Sequence, residues 1–273
     1  METRPHSAIL IGPFGRATVS VGTRAVVAHA HAEFNLLFHI AGGSAVFRVE
    51  GEPLVLDAER MIVLNPWTTH AKEENAAEPT TLLSLLIDPA WLDANVYGPS
   101  ATEGAFPCSS VCATPALRLM VDKLVKGIHG IGASHDERFH VELVREVVAG
   151  VSYAHARRDA PLRMGCVDSR VRRGIAYIQL HAADNPDLVT VAAHAGLSRS
   201  QFFARFKASV GVTPQHYLDW MRLDLAVKLL ADSDLPLAEV AAQLGFYAPS
   251  HFTRFFAQHI AIPPSEFRRS LVV

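Results

Sequence analysis

The stretch from Val191 to Phe267 holds one pattern twice, and this duplication limits what the chain can fold into more than any other feature. The first copy reads VAAHAGLSRSQFFARFKASVGVTPQHY, Val191 to Tyr217. The second reads VAAQLGFYAPSHFTRFFAQHIAIPPSEF, Val240 to Phe267. Val191, Ala192, Ala193 and Gly196 return 49 residues later as Val240, Ala241, Ala242 and Gly245. Phe202, Phe206, Pro214 and Tyr217 return 50 residues later as Phe252, Phe256, Pro264 and Phe267. The second copy therefore carries one extra residue between its two halves.

Each copy reads as a short helix, a tight turn and a second helix. In the first copy Thr190 is placed to cap a helix whose Val191, Ala192 and Ala195 are apolar. Gly196 follows, where a chain leaving a helix often needs a left-handed residue. Ser198 caps the next helix, and Phe202, Phe206 and Val210 recur at four-residue spacing, so that helix has one buried stripe. Gly211 and Pro214 end it. Two short helices joined by a glycine turn have the shape of a helix-turn-helix, whose second helix fits a major groove. Between the copies, Tyr217 to Ala231 carries Leu218, Trp220, Met221, Leu223, Leu225, Leu229 and Leu230, apolar on more than one face. This connector is expected to be buried against both copies.

On GLSRSQFFARFKASVGVTP, on the connector, and on the LGF-x-x-x-S-x-F-x-R-x-F run from Leu244 to Phe256, the chain resembles the AraC/XylS family of bacterial transcription regulators. The resemblance covers about 100 residues. It implies a tandem helix-turn-helix domain that binds promoter DNA. Three departures stand out. Ala261-Ile262-Pro263-Pro264 replaces the family's Gly-x-Thr-Pro. Lys207 is matched by Ala257. The Arg frequent in the middle of the recognition helix is Ala204 in the first copy but Arg254 in the second.

The apolar residues of these helices belong to a core under any reading, so the opposite face is the informative one. It holds Arg199, Ser200, Phe203, Ala204 and Lys207 in the first copy, and Pro249, Ser250, Thr253 and Arg254 in the second. An Arg there can donate two bonds to guanine O6 and N7, and Ser or Thr can meet a phosphate or a thymine methyl. The bland alternative is a solvated helix face. Charge permits DNA binding without arguing for it. The net charge of −2 divides into 14 Lys/Arg against 18 Asp/Glu over residues 1–164, and 11 against 9 over residues 165–273.

Upstream, residues 1 to about 87 read as β. Thr18 to Ala30, Glu33 to Ile40, Ser44 to Val49, Pro53 to Asp57, Arg60 to Asn65 and Thr80 to Ile87 are short apolar runs separated by turn residues. Such spacing suggests an antiparallel sandwich or small barrel. The text from His29 to His70 resembles the cupin-like sensor domain that precedes the DNA-binding half in many members of the family. Ala58-Glu59-Arg60 stands where a Pro-Gly-Asp turn is usual. The resemblance places an effector pocket in the barrel near His29, His31, Phe38, Trp67 and His70.

Asp88 and Pro89 start a short helix. Thr114-Pro115 opens a helix to about Ile128, with Leu117, Met120, Leu124 and Ile128 as its stripe. A second runs from about Ser134 to Arg157 on Phe139, Leu143, Val147 and Val151. The turn from Gly127 to Gly132 makes them an antiparallel pair. In the resembled family such a pair commonly mediates dimerisation; covering one face of the barrel is the other reading. Arg158 to Val167 is the expected linker, and Asp168 to His181 the first helix of the DNA-binding half. The expected architecture is α+β in two domains. Residues 1–160 form a cupin-like sensor and dimerisation domain, and residues 168–273 an all-α DNA-binding domain.

His29, His31, Glu33 and His70 raise the question of metal, because cupin enzymes hold an ion with three His and a Glu. Glu33 comes too soon after His31, and Pro66 to His70 lacks the enzyme motif's glycine, so the reading is pocket lining with no metal and no cofactor. Cys108 and Cys112 have no partner pair for zinc, and three cysteines with Cys166 are no disulfide framework. No nucleophile elbow, phosphate loop or dinucleotide fingerprint occurs, so no catalytic residue is assigned. With no secretory leader and no apolar run of membrane-spanning length, a cytoplasmic chain without a membrane partner is expected.

The expected function is therefore a sequence-specific regulator of transcription. Its partners would be double-stranded operator DNA, a small-molecule effector, a second copy of itself in a homodimer and RNA polymerase. The alternatives are a cupin-type metal-binding sensor or enzyme with a helical appendage, and a protein-interaction module built on helical hairpins.

Overall fold

The structure is a computed structural model and describes residues 7–75, 78–97, 106–130, 137–155 and 168–272. Its first part is two antiparallel sheets. The larger contains β1 (Ala8–Gly12), β2 (Gly15–Gly22), β4 (Phe34–Gly42), β7 (Arg60–Leu64), β9 (Thr80–Ile87) and β10 (Ser110–Cys112), in the order β1-β2-β9-β4-β7-β10. The smaller contains β3 (Val26–His29), β5 (Ala45–Val49), β6 (Glu52–Leu56) and β8 (His70–Lys72), in the order β3-β8-β5-β6.

The middle strands of the larger sheet are apolar almost without alternation because both of their faces are covered. Leu36, Phe38, Met61, Val63, Leu83 and Leu85 pack on one face against helical residues. Leu37, Ile62, Leu64 and Leu82 pack on the other against Phe47, Val49 and Leu56 of the smaller sheet. Two features differ from the sequence expectation. The run from Thr18 to Ala30 is two strands in different sheets, with a break after Gly22. And the two sheets face each other without closing into one hydrogen-bonded barrel among the described residues. The expected glycine turn before β7 is replaced by Asp57, whose carboxylate accepts from the Glu59 and Arg60 amides at 2.8 Å each. An Asx turn of this kind reverses the chain without a glycine.

The helical face of the larger sheet is covered by α1 (Pro89–Leu92), α2 (Pro115–Ile128) and α3 (Glu137–His155). Asp88 and Thr114 cap α1 and α2 with Pro at the first helical position, as the sequence indicates. Leu117, Val121, Leu124 and Ile128 of α2 meet Leu143, Val144, Val147, Val148 and Val151 of α3. Met120 is only partly buried, and Phe139 points outward at 36% exposure, because His140 takes the inner position with its Nε2 against the Gly127 carbonyl at 3.1 Å. The pair is thus a lid on the sheet. The predicted ends of the second helix, part of the turn before it and the linker from Arg158 lie outside the described residues.

The second part is helical: α4 (Ser169–His181), α5 (Leu188–His194), α6 (Arg199–Val210), α7 (Pro214–Asp232), α8 (Leu237–Gln243), α9 (Pro249–Ile260) and α10 (Pro264–Arg269). Helix α5 begins earlier than read from the sequence. Asp187, not Thr190, caps it by accepting from the Val189 amide at 3.1 Å. Ser198 and Gln201 form a reciprocal capping box at the start of α6. Gly196 and Gly245 both take left-handed backbone, with φ of 70° and 67°. The connector α7 starts at Pro214, capped by Thr213, so it has 19 residues rather than the 15 expected. Among the described residues no helix is long and apolar enough to cross a membrane.

The duplication extends further upstream than the sequence text suggests. Arg173 on α4 and Arg222 on α7 lie 49 residues apart, the spacing that relates the first halves of the copies. Arg173 Nη2 donates to the Ala195 carbonyl at 3.0 Å, and Arg222 Nη2 to the Leu244 carbonyl at 2.9 Å. Each guanidinium thus holds the last carbonyl before the turn glycine, where a helix end leaves acceptors without partners. The repeated unit is three helices, α4-α5-α6 and α7-α8-α9, and α7 serves as both connector and first helix of the second unit.

Arg222 is 5% exposed and lies over the rings of Phe246 and Phe255 at 4.0 and 5.3 Å. Arg173 is largely exposed. Burial should decide what each is worth. Arg222→Met should lower the stability of the chain by about 1–3 kcal/mol, whereas Arg173→Met should cost about 1 kcal/mol or less. Urea melts of both variants check this, and equal losses would show that burial does not set the difference.

Candidate functional site

The two second helices, α6 and α9, are built alike. Phe202 and Phe206 of α6 and Phe252 and Phe256 of α9 are fully buried, each pair meeting edge to face at 5.4 and 5.8 Å. Burying one stripe forces the other face outward. Arg199, Ser200, Ala204 and Lys207 are exposed on α6, and Pro249, Ser250 and Arg254 on α9. Phe203 and Thr253 are half-buried. Arg199 leans over the Phe203 ring at 4.9 Å, a cation–π contact that holds its side chain along the helix. The structure therefore leaves on the outer face of each helix the residues singled out there. Sequence reasoning passed over Tyr247, which is 99% exposed in the turn that carries the second copy's extra residue. An exposed aromatic beside a helix start was its only signal.

Behind these helices lies a cavity of about 640 Å³ between the two parts of the molecule. One wall is sheet: Arg16, Thr18, Ser20, Asn35, Leu37, Phe47, Lys72 and Leu82 among others. The opposite wall is helical, from His216, Trp220, Leu223 and Val227 of α7 to His259, Ile260 and Ala261 at the end of α9. His29, His31 and His70 line it together. His29 and His70 are cross-strand partners of β3 and β8, while His31 sits just beyond β3 in the turn to β4 rather than on the strand. Of the other residues expected in the pocket, Phe38 faces the opposite side of its sheet, buried under the helical lid. Trp67 is a contact between the two parts. It stacks on Tyr217 at 5.1 Å and meets Trp220 edge-on at 5.2 Å.

Trp67 does this from left-handed backbone, φ 64°, which is costly for a bulky side chain. Its amide is fixed to the His31 carbonyl at 2.7 Å. The residue three before His70 is thus pinned both to the turn carrying His31 and to α7. Trp220 in turn donates its indole N–H to Glu33 Oε2 at 3.2 Å.

Burial shifts the titration of the charged and ionisable groups that line the cavity. Burial pushes the His31 and His70 imidazoles down to about 3, with the neighbouring His29 and His31 rings adding to the effect. Burial likewise holds His29 well below its ordinary value, with His70 next in weight. All three are uncharged at neutral pH. Burial raises Glu33 and lowers Arg16, although each partly compensates the other. Burial also lowers Lys72, whose Nζ donates to the Arg24 carbonyl at 2.9 Å. Sequence reasoning missed Arg16 and Lys72 because a single charge in an alternating strand looks like its solvent face.

The second part also grips the first through backbone. The Ile9 amide donates to the Ser270 carbonyl at 2.7 Å, and the Val272 amide to the Ile9 carbonyl at 2.8 Å. The segment after α10 thereby continues the edge of β1 in parallel. The exposed cysteines Cys108 and Cys112 carry free thiols.

A family model described as a helix-turn-helix domain matches residues 191–270. The arabinose operon regulatory protein of Escherichia coli is 35% identical over 103 residues, 37% of this chain and 35% of that protein. A Bacillus subtilis protein described as an uncharacterized HTH-type transcriptional regulator, YobQ, is 23% identical over 249 residues, 91% of each chain. The structure of an apo ToxT variant from Vibrio cholerae has the same fold, with a TM-score of 0.58 at 12% identity over 94% of this chain and 98% of that one. The alignments to the curated relatives first matched span little more than a third of those relatives' length. Over residues 191–270 the chain carries a helix-turn-helix domain, and there it is similar to these regulators of transcription.

Proposed function

We propose that this chain is a sequence-specific DNA-binding regulator of transcription, controlled by a small molecule held in the cavity behind its reading helices. The observation that carries the reading is the pair of stapled three-helix units, which share α7 and leave an exposed polar face on α6 and on α9. A polar, basic-leaning face on a helix whose other side is fully buried can enter a major groove without disturbing its own core. The cavity supports the second half of the reading. Its volume falls in the range of small-ligand sites, and its lining mixes apolar side chains with charged and polar ones. The ToxT protein of Vibrio cholerae has been crystallised with an unsaturated fatty acid bound. An effector for this chain would be a molecule with an apolar body and a polar end able to meet Arg16, Glu33 or Lys72.

In this reading residues 1–160 form the effector domain, in which the two facing sheets are a cupin-like barrel opened toward the helices. Residues 168–273 form the DNA-binding domain. The outer faces of α2 and α3 would join two copies in a homodimer. RNA polymerase is the partner such a regulator would address from its operator, and the cytoplasm is where it would act.

Nineteen residues of α7 span about 28 Å, and successive major grooves on one face lie about 34 Å apart. The DNA is expected to bend to meet both helices. Footprints on a bound genomic fragment should show two short elements about one helical turn apart, and gel shifts should weaken steeply as salt rises. Protection of a single element would rule out joint reading, and no fragment retarded above non-specific background would sink the proposal.

Arg254 gives the sharper test. It is exposed on α9, and its counterpart on α6 is Ala204, so the two helices cannot read DNA alike. If Arg254 meets a base edge, Arg254→Ala should cost about 1–3 kcal/mol of affinity and relax preference at one base pair. Contact with phosphate alone should instead weaken all sequences equally and reduce the salt slope by about one. The melting temperature should not move in either case. Affinities across single-base operator variants, with a melting curve, distinguish these outcomes, and unchanged affinity would remove Arg254 from the reading face.

A further inference from the structure

We infer that His29, His31 and His70 form a binding site for one divalent transition-metal ion in the wall of the cavity. Each ring places one nitrogen within 4.8 Å of those of the other two. The ring centres are 4.3 Å apart for His29 and His70, 5.0 Å for His31 and His70, and 5.8 Å for His29 and His31.

The hydrogen bonds decide which nitrogens carry protons and which are left as acceptors. His29 Nδ1 meets the Val27 carbonyl at 2.8 Å, His31 Nδ1 the Glu33 carbonyl at 3.0 Å, and His70 Nδ1 the Thr68 carbonyl at 2.9 Å. A carbonyl oxygen only accepts, so each Nδ1 carries the proton. In a neutral imidazole the lone pair is then on Nε2. Three rings, each with an unprotonated nitrogen, are brought together in one place, and acceptors cannot satisfy one another. His31 Nε2 is buried and has no hydrogen-bond partner. Three rings pinned by a backbone carbonyl at one nitrogen and presenting the other is how metal-binding histidines are held: the outer hydrogen bond fixes the tautomer and the ring orientation.

The donor set indicates the ion. Three neutral imidazoles without thiolate suit zinc, cobalt, nickel or copper rather than magnesium or calcium. Tetrahedral zinc at about 2.0–2.1 Å from each nitrogen needs the nitrogens about 3.3 Å apart, within reach of a small rotation of the rings. Glu33 is not a ligand. Its Oε2 lies 3.6 Å from His31 Nδ1, on the side of the ring away from the free nitrogen, and it accepts the Trp220 indole N–H. This is an outer-shell position that holds His31 in place. A fourth coordination position is left to water or to a group of a molecule in the cavity, as in sites where zinc keeps three protein ligands. The inference does not depend on the chain binding DNA.

The experiment uses the full chain, with any purification tag removed, dialysed against a chelator and then titrated with cobalt(II). The expected result is the strong visible absorption of four-coordinate cobalt, saturating at one equivalent and abolished by one equivalent of zinc. His31→Gln and His70→Gln should each lose it while keeping the far-ultraviolet circular dichroism of the parent. His181→Ala, which alters a half-buried histidine at the end of α4, outside the cavity lining, should keep it. No saturable binding by the parent chain overturns the site, as does binding that survives both glutamine variants or is lost with His181→Ala. X-ray absorption at the zinc edge of the loaded parent chain counts imidazole ligands without any substitution. Three support the site and fewer overturn it, whether or not the variants fold.

Discussion

The contact on which the two parts depend is the wedge of Trp67 against Tyr217 and Trp220. Trp67 lies in a turn of the sheet part, and the other two rings lie in the first two turns of α7. Left-handed backbone at a tryptophan costs of order 1–3 kcal/mol. It persists because the ring is then stacked on one aromatic and edge-on to another, and because its amide holds the His31 carbonyl. From this wedge two short chains of contact lead away. Tyr217 packs on Phe206 in the core of α6 at 5.5 Å. Trp220 donates to Glu33, whose carboxylate lies beside His31. The histidine cluster and α6 are therefore joined through rings and one charge-assisted hydrogen bond. No long loop intervenes.

Such a link can transmit a change only if what it connects is stiff. The two arginine staples supply that stiffness. A helix-turn-helix whose last carbonyls were left to water would let its second helix swing about the glycine. Arg173 and Arg222 tie those carbonyls to the preceding helix instead. Because α7 is both the connector and the first helix of the second unit, a shift of α7 carries Arg222, the turn at Gly245 and α9 together. The burial of Arg222 between Phe246, Phe255 and the Leu244 carbonyl makes the second unit the more firmly held of the two.

The helical half was legible because its signals are local. Ser198, Gly196, Gly211 and the phenylalanine spacing all act within one turn of where they stand. The offset of 49 residues becoming 50 foretold the longer turn before α9. Thr190 was misplaced because it competed with Asp187, which has Pro186 before it and a carboxylate that reaches the Val189 amide. In the sheet half the strands were visible but not their partners. One apolar run from Thr18 to Ala30 gave no sign that β2 and β3 part into different sheets, since a break at Gly22 looks like any glycine in a strand. Ala261 was a departure from the expected glycine, yet it takes the left-handed backbone that Gly211 takes in the first copy, φ 68° against 90°. The backbone conformation is the same in both copies, and in the second an alanine bears its strain. The histidine cluster was the least legible. His29 and His70 meet only through the pairing of β3 with β8, and which ring nitrogen each offers is decided by carbonyls that no side-chain pattern reveals.

The asymmetry of the two copies follows from where the cavity lies. Its helical wall is α7 and the turn from α9 to α10, with His259, Ile260, Ala261 and Ile262 facing it. A molecule held there meets the second unit directly. The first unit supplies no wall of its own and is reached only through α7 and the Trp67 wedge. The segment after α10 also pairs with β1, so the second unit is clasped to the sheets on two sides. The exposed arginine in the middle of α9, Arg254, belongs to this unit, whereas the first unit has Ala204 on α6. On the proposed reading, recognition that depends on the second unit would be the part an effector can move, and the first unit, with Ala204 in place of that arginine and farther from the cavity, would serve as its anchor on the DNA.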